Sequence, residues 1–190
     1  MMPEGQVQSG DRYMVKSFED GVLVAVADGL GHGVEAAAAA DAAVSSLEGH
    51  AGEPLISLLK RSHEALRSTR GAVMSLAWLS AREGTMTWLG VGNVEGVLLR
   101  ANPEASRQAE SLLLRGGVIG SKLPSLHAAA ISIAHGDTLI FATDGIRNGF
   151  TQDLSPGEPP QRIADRVMAR YRRNADDALI LVVRYMGRKP

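Results

Sequence analysis

Six apolar residues in succession, Val22-Leu23-Val24-Ala25-Val26-Ala27, run straight into Asp28-Gly29-Leu30-Gly31-His32-Gly33, and an Ala-dense stretch follows from Val34 to about Leu47. No other feature constrains the fold as much. A short continuous apolar run bounded by turn residues is the pattern of a buried strand. The Ala-dense stretch holds no Pro or Gly, and Ala is the best helix former, so a helix starts directly after the turn. Its small side chains allow close packing against a neighbour. The strand therefore delivers a carboxylate, Asp28, to the point where strand, turn and helix meet.

The rest of the chain adds many strands and few helices. Pro54 suits the first turn of a second helix, with Leu55, Leu58, Leu59 and Leu66 on one face. Val73 to Leu79 and Met86 to Val91 are expected strands, with Glu83-Gly84 between them as a hairpin signal. Gly92-Asn93 turns into a strand from Val94 to Leu99, and Asn102-Pro103 opens a polar loop. Ser111 to Arg115 is expected to be one short strand. Leu126 to Ala134 and Thr138 to Thr143 are expected to form a strand pair, turning at His135-Gly136-Asp137. A Pro-rich loop from Thr151 to Pro160 leads to a third helix, Gln161 to Arg173, and a last strand, Ala178 to Tyr185. Successive hairpins imply mainly antiparallel pairing. The expectation is an α+β layered sandwich, one domain over residues 1–190.

Composition narrows the chemistry. The chain has no Cys, which excludes a disulfide framework, Cys-ligated zinc or iron–sulfur clusters, and a thiolate nucleophile. Any metal must be held by carboxylate, carbonyl, imidazole or water, a donor set that favours Mg, Mn or Ca. The formal net charge is −1, which argues against general nucleic-acid binding. Residues 162–190 nevertheless hold 8 basic and 3 acidic groups. No apolar run approaches the roughly 18 residues of a membrane span. Met1-Met2-Pro3-Glu4-Gly5 lacks the basic and apolar segments of a signal peptide, so a cytoplasmic location is expected.

Acidic residues recur at the ends of the apolar strands. Asp28 follows the first. Asp144 follows Thr138-Leu139-Ile140-Phe141-Ala142-Thr143, and Asp176-Asp177 precedes Ala178 to Val183. One Asp-Gly alone is a common turn, and an Asp after a strand often caps the next element. Several carboxylates converging at partly desolvated strand ends repel one another, and a divalent cation reverses that cost.

Four segments in order carry a resemblance: Ser9-Gly10-Asp11, Val26-Ala27-Asp28-Gly29-Leu30-Gly31-His32-Gly33, Phe141-Ala142-Thr143-Asp144-Gly145-Ile146 and Asp176-Asp177-Ala178-Leu179-Ile180-Leu181-Val182-Val183. Together they resemble the bacterial sporulation (SpoIIE-type) branch of the PP2C metal-dependent Ser/Thr phosphatases. Many members of the branch carry Gly-His-x-Pro where this chain has Val91-Gly92-Asn93-Val94. With Leu113 to Gly120 after it, this region is similar to the small, stand-alone stressosome feedback phosphatases of the branch. Asn93 is thereby a further candidate residue.

The resemblance implies a PP2C-like αββα sandwich and two Mn²⁺ or Mg²⁺ ions at one edge. It implies that Asp28 bridges both ions, that the Gly29 carbonyl ligates one, and that Asp144 and Asp176 hold the second. Asp11 would be an outer ligand through water, and Asp177 is the alternative to Asp176. The implied reaction is attack of a metal-bridging water on phosphoserine or phosphothreonine, without a covalent enzyme intermediate. The implied substrates are phosphorylated STAS-domain stressosome proteins, reset after stress signalling by a monomeric enzyme. The same chemistry on a free anti-sigma-factor antagonist, or a catalytically silent partner-binding module, are the alternatives. Relatives of eukaryotic type bind phosphate with an early Arg, and Arg12 does not match that place. Backbone N–H groups of the helix from Val34 are another anion site. His32 is open between general acid, backbone-bonded turn residue and substrate contact. Arg162, Arg166 and Arg170 share one helical face, either as a solvated stripe or as a docking face for an acidic phosphoprotein.

Overall fold

The computed structural model describes residues 8–102, 104–105 and 107–187. Met1 to Gly5 and Pro103, discussed above, lie outside the described residues. In chain order the elements are β1 (Asp11–Phe18), β2 (Gly21–Gly29), α1 (Val34–Ser45), α2 (Leu55–Ala65), β3 (Ala72–Ser80), β4 (Thr85–Val91), β5 (Glu95–Leu99), β6 (Ala109–Ser111), β7 (Leu114–Arg115), β8 (Ala129–Ser132), β9 (Thr138–Ala142), α3 (Pro160–Tyr171) and β10 (Ile180–Arg184), with a 3₁₀ turn at Phe150–Asp153 before α3. One sheet runs β1-β2-β3-β4-β7 with β8 also on β4, and the other runs β10-β9-β5-β6. These pairings are antiparallel apart from β4 with β7.

The continuous apolar run is explained by burial on both faces of β2. Leu23, Ala25 and Ala27 pack under the first two helices, against Leu47, Leu55, Leu58 and Leu59. Val24 and Val26 point the other way, into the core between the sheets with Trp88, Leu98, Leu139 and Phe141. A third apolar layer, with Ile140, Ala142, Phe150, Ile163 and Val167, joins the second sheet to α3. The order of layers is helices, sheet, sheet, helix. In α1, Ala36, Ala37, Ala39, Ala40 and Ala43 are all buried. A row of methyl groups lets the helix axis approach the sheet more closely than Leu would.

The structure corrects four sequence expectations. β1 was not anticipated, although Asp20-Gly21 after a stretch holding Tyr, Val and Phe is a hairpin signal. Leu126 to Ala134 and Thr138 to Thr143 do not form a strand pair. β8 lies on β4 in the first sheet and β9 lies between β10 and β5 in the second, so His135-Gly136-Asp137 belongs to a crossover. Buried Asp137 holds that crossover by accepting hydrogen bonds from the Ala134 and Ala101 N–H groups at 3.0 and 2.8 Å. Ser111 to Arg115 is not one strand either: Ser111 pairs with Val97 in the second sheet and Leu114 with Gly90 in the first, so the chain changes sheet between them. The third helix runs Pro160–Tyr171, one residue earlier at its start and ending before Arg172, whose backbone is extended. Among the described residues no helix is long and apolar enough to cross a membrane.

Candidate metal centre

The acidic residues come from both sheets and meet at one end of the sandwich. Asp11 and Asp28 are direct register partners where β1 starts and β2 ends. Asp144 follows β9, and Asp176-Asp177 precede β10, the neighbour of β9. Asn93 lies in the crossover from β4 to β5 and donates its amide N–H to Asp144 Oδ2 at 2.9 Å. The loop from β4 to β5 therefore crosses from sheet to sheet beside the carboxylates.

Hydrogen bonds tie the two halves together. Thr143 Oγ1 donates to Asp11 Oδ2 at 2.8 Å and accepts from the Leu179 N–H at 2.9 Å. The Gly10 N–H donates to Asp177 Oδ2 at 2.6 Å, and the Gly29 N–H donates to the Gly10 carbonyl at 3.0 Å. Asp176 is exposed, and its Oδ1 accepts from the Asp177 N–H at 2.9 Å. Asp177 is buried, and among the described residues its Oδ1 finds no hydrogen-bond partner.

These neighbours perturb each other's protonation. Burial pushes Asp28 up to about 8, and the charges of Asp11, Asp144, Asp176 and Asp177 push in the same direction. Asp11 is raised to about 7, mainly by burial, with Asp177 and Asp144 adding to it and the Thr143 hydrogen bond opposing. Asp176 is raised by burial and then by Asp144. Crowded carboxylates that resist ionisation are the electrostatic mark of a cation site.

The donor set fits a hard divalent ion. It is all oxygen, and it includes a buried carboxylate oxygen, Asp177 Oδ1, without a donor. Among the described residues no three acidic or imidazole groups close around a single point. The carboxylates are instead spread between buried Asp11 and Asp177 and exposed Asp144 and Asp176, an arrangement that suits Mg²⁺ and similar ions, which keep several waters and take few protein ligands. Gly29 is required for a packing reason: a Cβ there would sit 2.0 Å from the Ala36 carbonyl oxygen of α1.

The sequence candidates separate clearly. Asp11, Asp28, Gly29, Asp144, Asp176, Asp177 and Asn93 belong to one neighbourhood, by the bonds and charge interactions given above. His32 is exposed in the turn between β2 and α1. Arg12 turns away to Asp41 and to the Ser9 and Asp11 carbonyls. In the α3 stripe Arg162 is exposed, whereas Arg166 bonds Glu158 and the Asp153 carbonyl and Arg170 bonds Asp153. Sequence reasoning missed Thr143 as a link between the sheets, because its partners Asp11 and Leu179 lie 132 and 36 residues away. It also missed Arg70, which lies over the Gly-rich turn and has no motif of its own.

The chain is similar to known proteins in sequence and in fold. The family described as Stage II sporulation protein E (SpoIIE) matches residues 19–186. The phosphoserine phosphatase RsbX of Bacillus subtilis (strain 168) is 26% identical over 175 residues, covering 92% of this chain and 86% of that protein. A crystal structure of RsbX in complex with magnesium superposes with a TM-score of 0.84 at 25% identity, over 96% of this chain and 89% of that one. A chain from a structure of the bacterial stressosome, described as a modular system adapted to control secondary messenger signaling, gives a TM-score of 0.83 at 30% identity, over 96% and 94%.

Proposed function

Because the chain belongs to the SpoIIE family, we propose that it is a metal-dependent protein serine/threonine phosphatase built as one catalytic domain over residues 1–190. Phosphoserine and phosphothreonine of STAS-domain stressosome proteins are the proposed substrates, met in the cytoplasm by a monomeric enzyme. The observation that carries the reading is the meeting of carboxylates from both sheets at one end, with Asp28 raised to about 8 by burial and by the charges of the others. The phosphoserine phosphatase activity of RsbX and its magnesium complex support the choice of reaction and ion.

Asp28, the Gly29 carbonyl, Asp144 and Asp176 are the groups we assign to hold two Mg²⁺ or Mn²⁺ ions, with Asp11 as an outer ligand. Bound there, such cations supply positive charge to the phosphoryl oxygens and acidify water toward neutral pH. The chain's own residues prepare the place. Asn93 fixes one oxygen of Asp144. Thr143 does the same for Asp11. Asp177 anchors the Gly10 backbone, and so the start of β1, while Asp176 remains open to solvent. Asp28, raised to about 8, gives up its proton as pH rises through that value, so the site becomes a better cation trap over that range. Docking of an acidic partner on α3 rests on exposed Arg162 and on Arg170, which is exposed although paired with Asp153, whereas Arg166 is half-buried and bonded to Glu158.

The test is phosphate release from p-nitrophenyl phosphate and from a phosphoserine peptide, with and without Mn²⁺. Asp28→Asn and Asp144→Asn are expected to abolish metal-dependent release while circular dichroism keeps its native form. Full activity in either variant removes this mechanism. Incubation with phosphorylated stressosome scaffold proteins and, separately, with a phosphorylated anti-sigma-factor antagonist then identifies the substrate by the phosphosite that disappears.

A further inference from the structure

Arg70 lies just before β3 and beyond the end of β2. The β2–β3 register places Asp28 opposite Val73 and Gly29 opposite Ala72, and the Leu30 N–H extends the ladder by donating to the Gly71 carbonyl at 3.0 Å. Arg70 is the next residue, just before Gly71, whose φ of +84° turns the chain into β3. The side chain crosses the turn: a Cβ on Gly31 would sit 2.7 Å from Arg70 Nη1, and Gly31 has φ of +95°. On the far side Nη2 pairs with the Glu35 carboxylate in the first turn of α1.

This ion pair has features of a replaceable contact. Both side chains are more than half exposed, at 53% and 66%, and exposed pairs add little stability. Arg70 is nonetheless held against the backbone of the turn at Gly31, which follows Asp28 and Gly29. Guanidinium groups bind phosphate oxygens as they bind carboxylates, through two parallel N–H donors, and a phosphoserine carries about −1.5 to −2 charge at neutral pH against −1 for a carboxylate. Arg12, the cation next to Asp11 in sequence, is committed to Asp41.

We propose that Arg70 binds the phosphoryl group of the substrate and that Glu35 is its partner when substrate is absent. The inference rests on the phosphatase reading above. When a phosphoserine enters, its dianion takes over the guanidinium and Glu35 is released to solvent. Glu35 is then a competitor of the substrate, not a support for the site.

The two variants must move in opposite directions. Arg70→Ala is expected to raise KM for a phosphoserine peptide at least tenfold while kcat changes less than about threefold, with Arg70→Lys between it and the native protein. Glu35→Gln is expected to lower KM about two- to fivefold. A merely structural latch predicts that both variants lower the melting temperature alike and leave KM unchanged, and that result overturns the proposal. Calorimetric binding of the same peptide to the Asp28→Asn protein gives a readout without turnover. There Arg70→Ala is expected to weaken binding tenfold or more, and equal affinity with and without Arg70 also overturns it. Absence of metal-dependent phosphate release by the native protein would sink the phosphatase reading instead, and the binding comparison would still decide the role of Arg70.

Discussion

Asp28 shows how a single residue can reveal its company. It is held at about 8 and Asp11 at about 7, against about 3.9 for Asp in an unfolded chain. Without cations the native state therefore binds more protons than the unfolded state between about pH 4 and pH 8. The stability contributed by these protonated carboxyls is complete below about pH 4 and is lost as pH rises through 7 and 8. Thermal melts in EDTA from pH 5 to 8.5 are expected to show a falling melting temperature. Asp28→Asn should flatten that slope, and a rising melting temperature in the native protein would contradict it. Much of this was legible in the sequence, because Asp28, Asp144 and Asp176-Asp177 each end or begin an apolar run. The part that was not legible depends on tertiary contact. Thr143 reads as the last residue of a strand, yet its hydroxyl joins Asp11 to the backbone of Leu179. Arg70 sits in the unremarkable sequence Arg67-Ser68-Thr69-Arg70, and only the β2–β3 register brings it to the turn.

At the scale of elements, local pattern and tertiary choice part company. α1 and β2 were plain, since six apolar residues and a run of alanines leave few options. The pairing of β8 and β9 was not, because strand patterns do not say which sheet a strand joins. A turn such as His135-Gly136-Asp137 looks the same in a hairpin as in a crossover. The contact between α1 and β2 allows a strict prediction. Gly29→Ala would drive a methyl group to 2.0 Å from the Ala36 carbonyl oxygen, so strand and helix must separate. A loss of about 3 kcal/mol or more in urea unfolding is expected, in the range of severe overpacking. α3 offers a milder case. Arg166 is 25% exposed and bonds both Glu158 and the Asp153 carbonyl, while Arg170 is 63% exposed. Arg166→Ala is expected to cost about 1–2 kcal/mol, and Arg170→Ala less than about 0.5 kcal/mol. Equal losses in the two variants would show that both arginines serve the fold alike.

For the whole molecule, ligand binding and folding are one equilibrium. Cations held by groups from both sheets stabilise only the native arrangement. Mn²⁺ at a hundred times its dissociation constant is expected to add about 2.7 kcal/mol, or about 5–10 °C in the melting temperature of a domain of this size. Asp28→Asn should lose most of that gain. If Mn²⁺ shifts both proteins equally, the ion binds elsewhere.

The seam between the sheets has a mechanical meaning too. Asp11 and Asp28 ride on one slab, while Asp144, Asp176 and Asp177 ride on the other. The slabs are joined here by short polar bonds, such as that from Thr143 to Asp11, and elsewhere by the apolar filling around Phe141 and Trp88. A slip of one slab over the other by a single ångström would break up the carboxylate cluster while every strand kept its own hydrogen bonds. Alignment of the slabs, set deep in the sandwich and far from solvent, is therefore as much a condition for this chemistry as any acidic side chain.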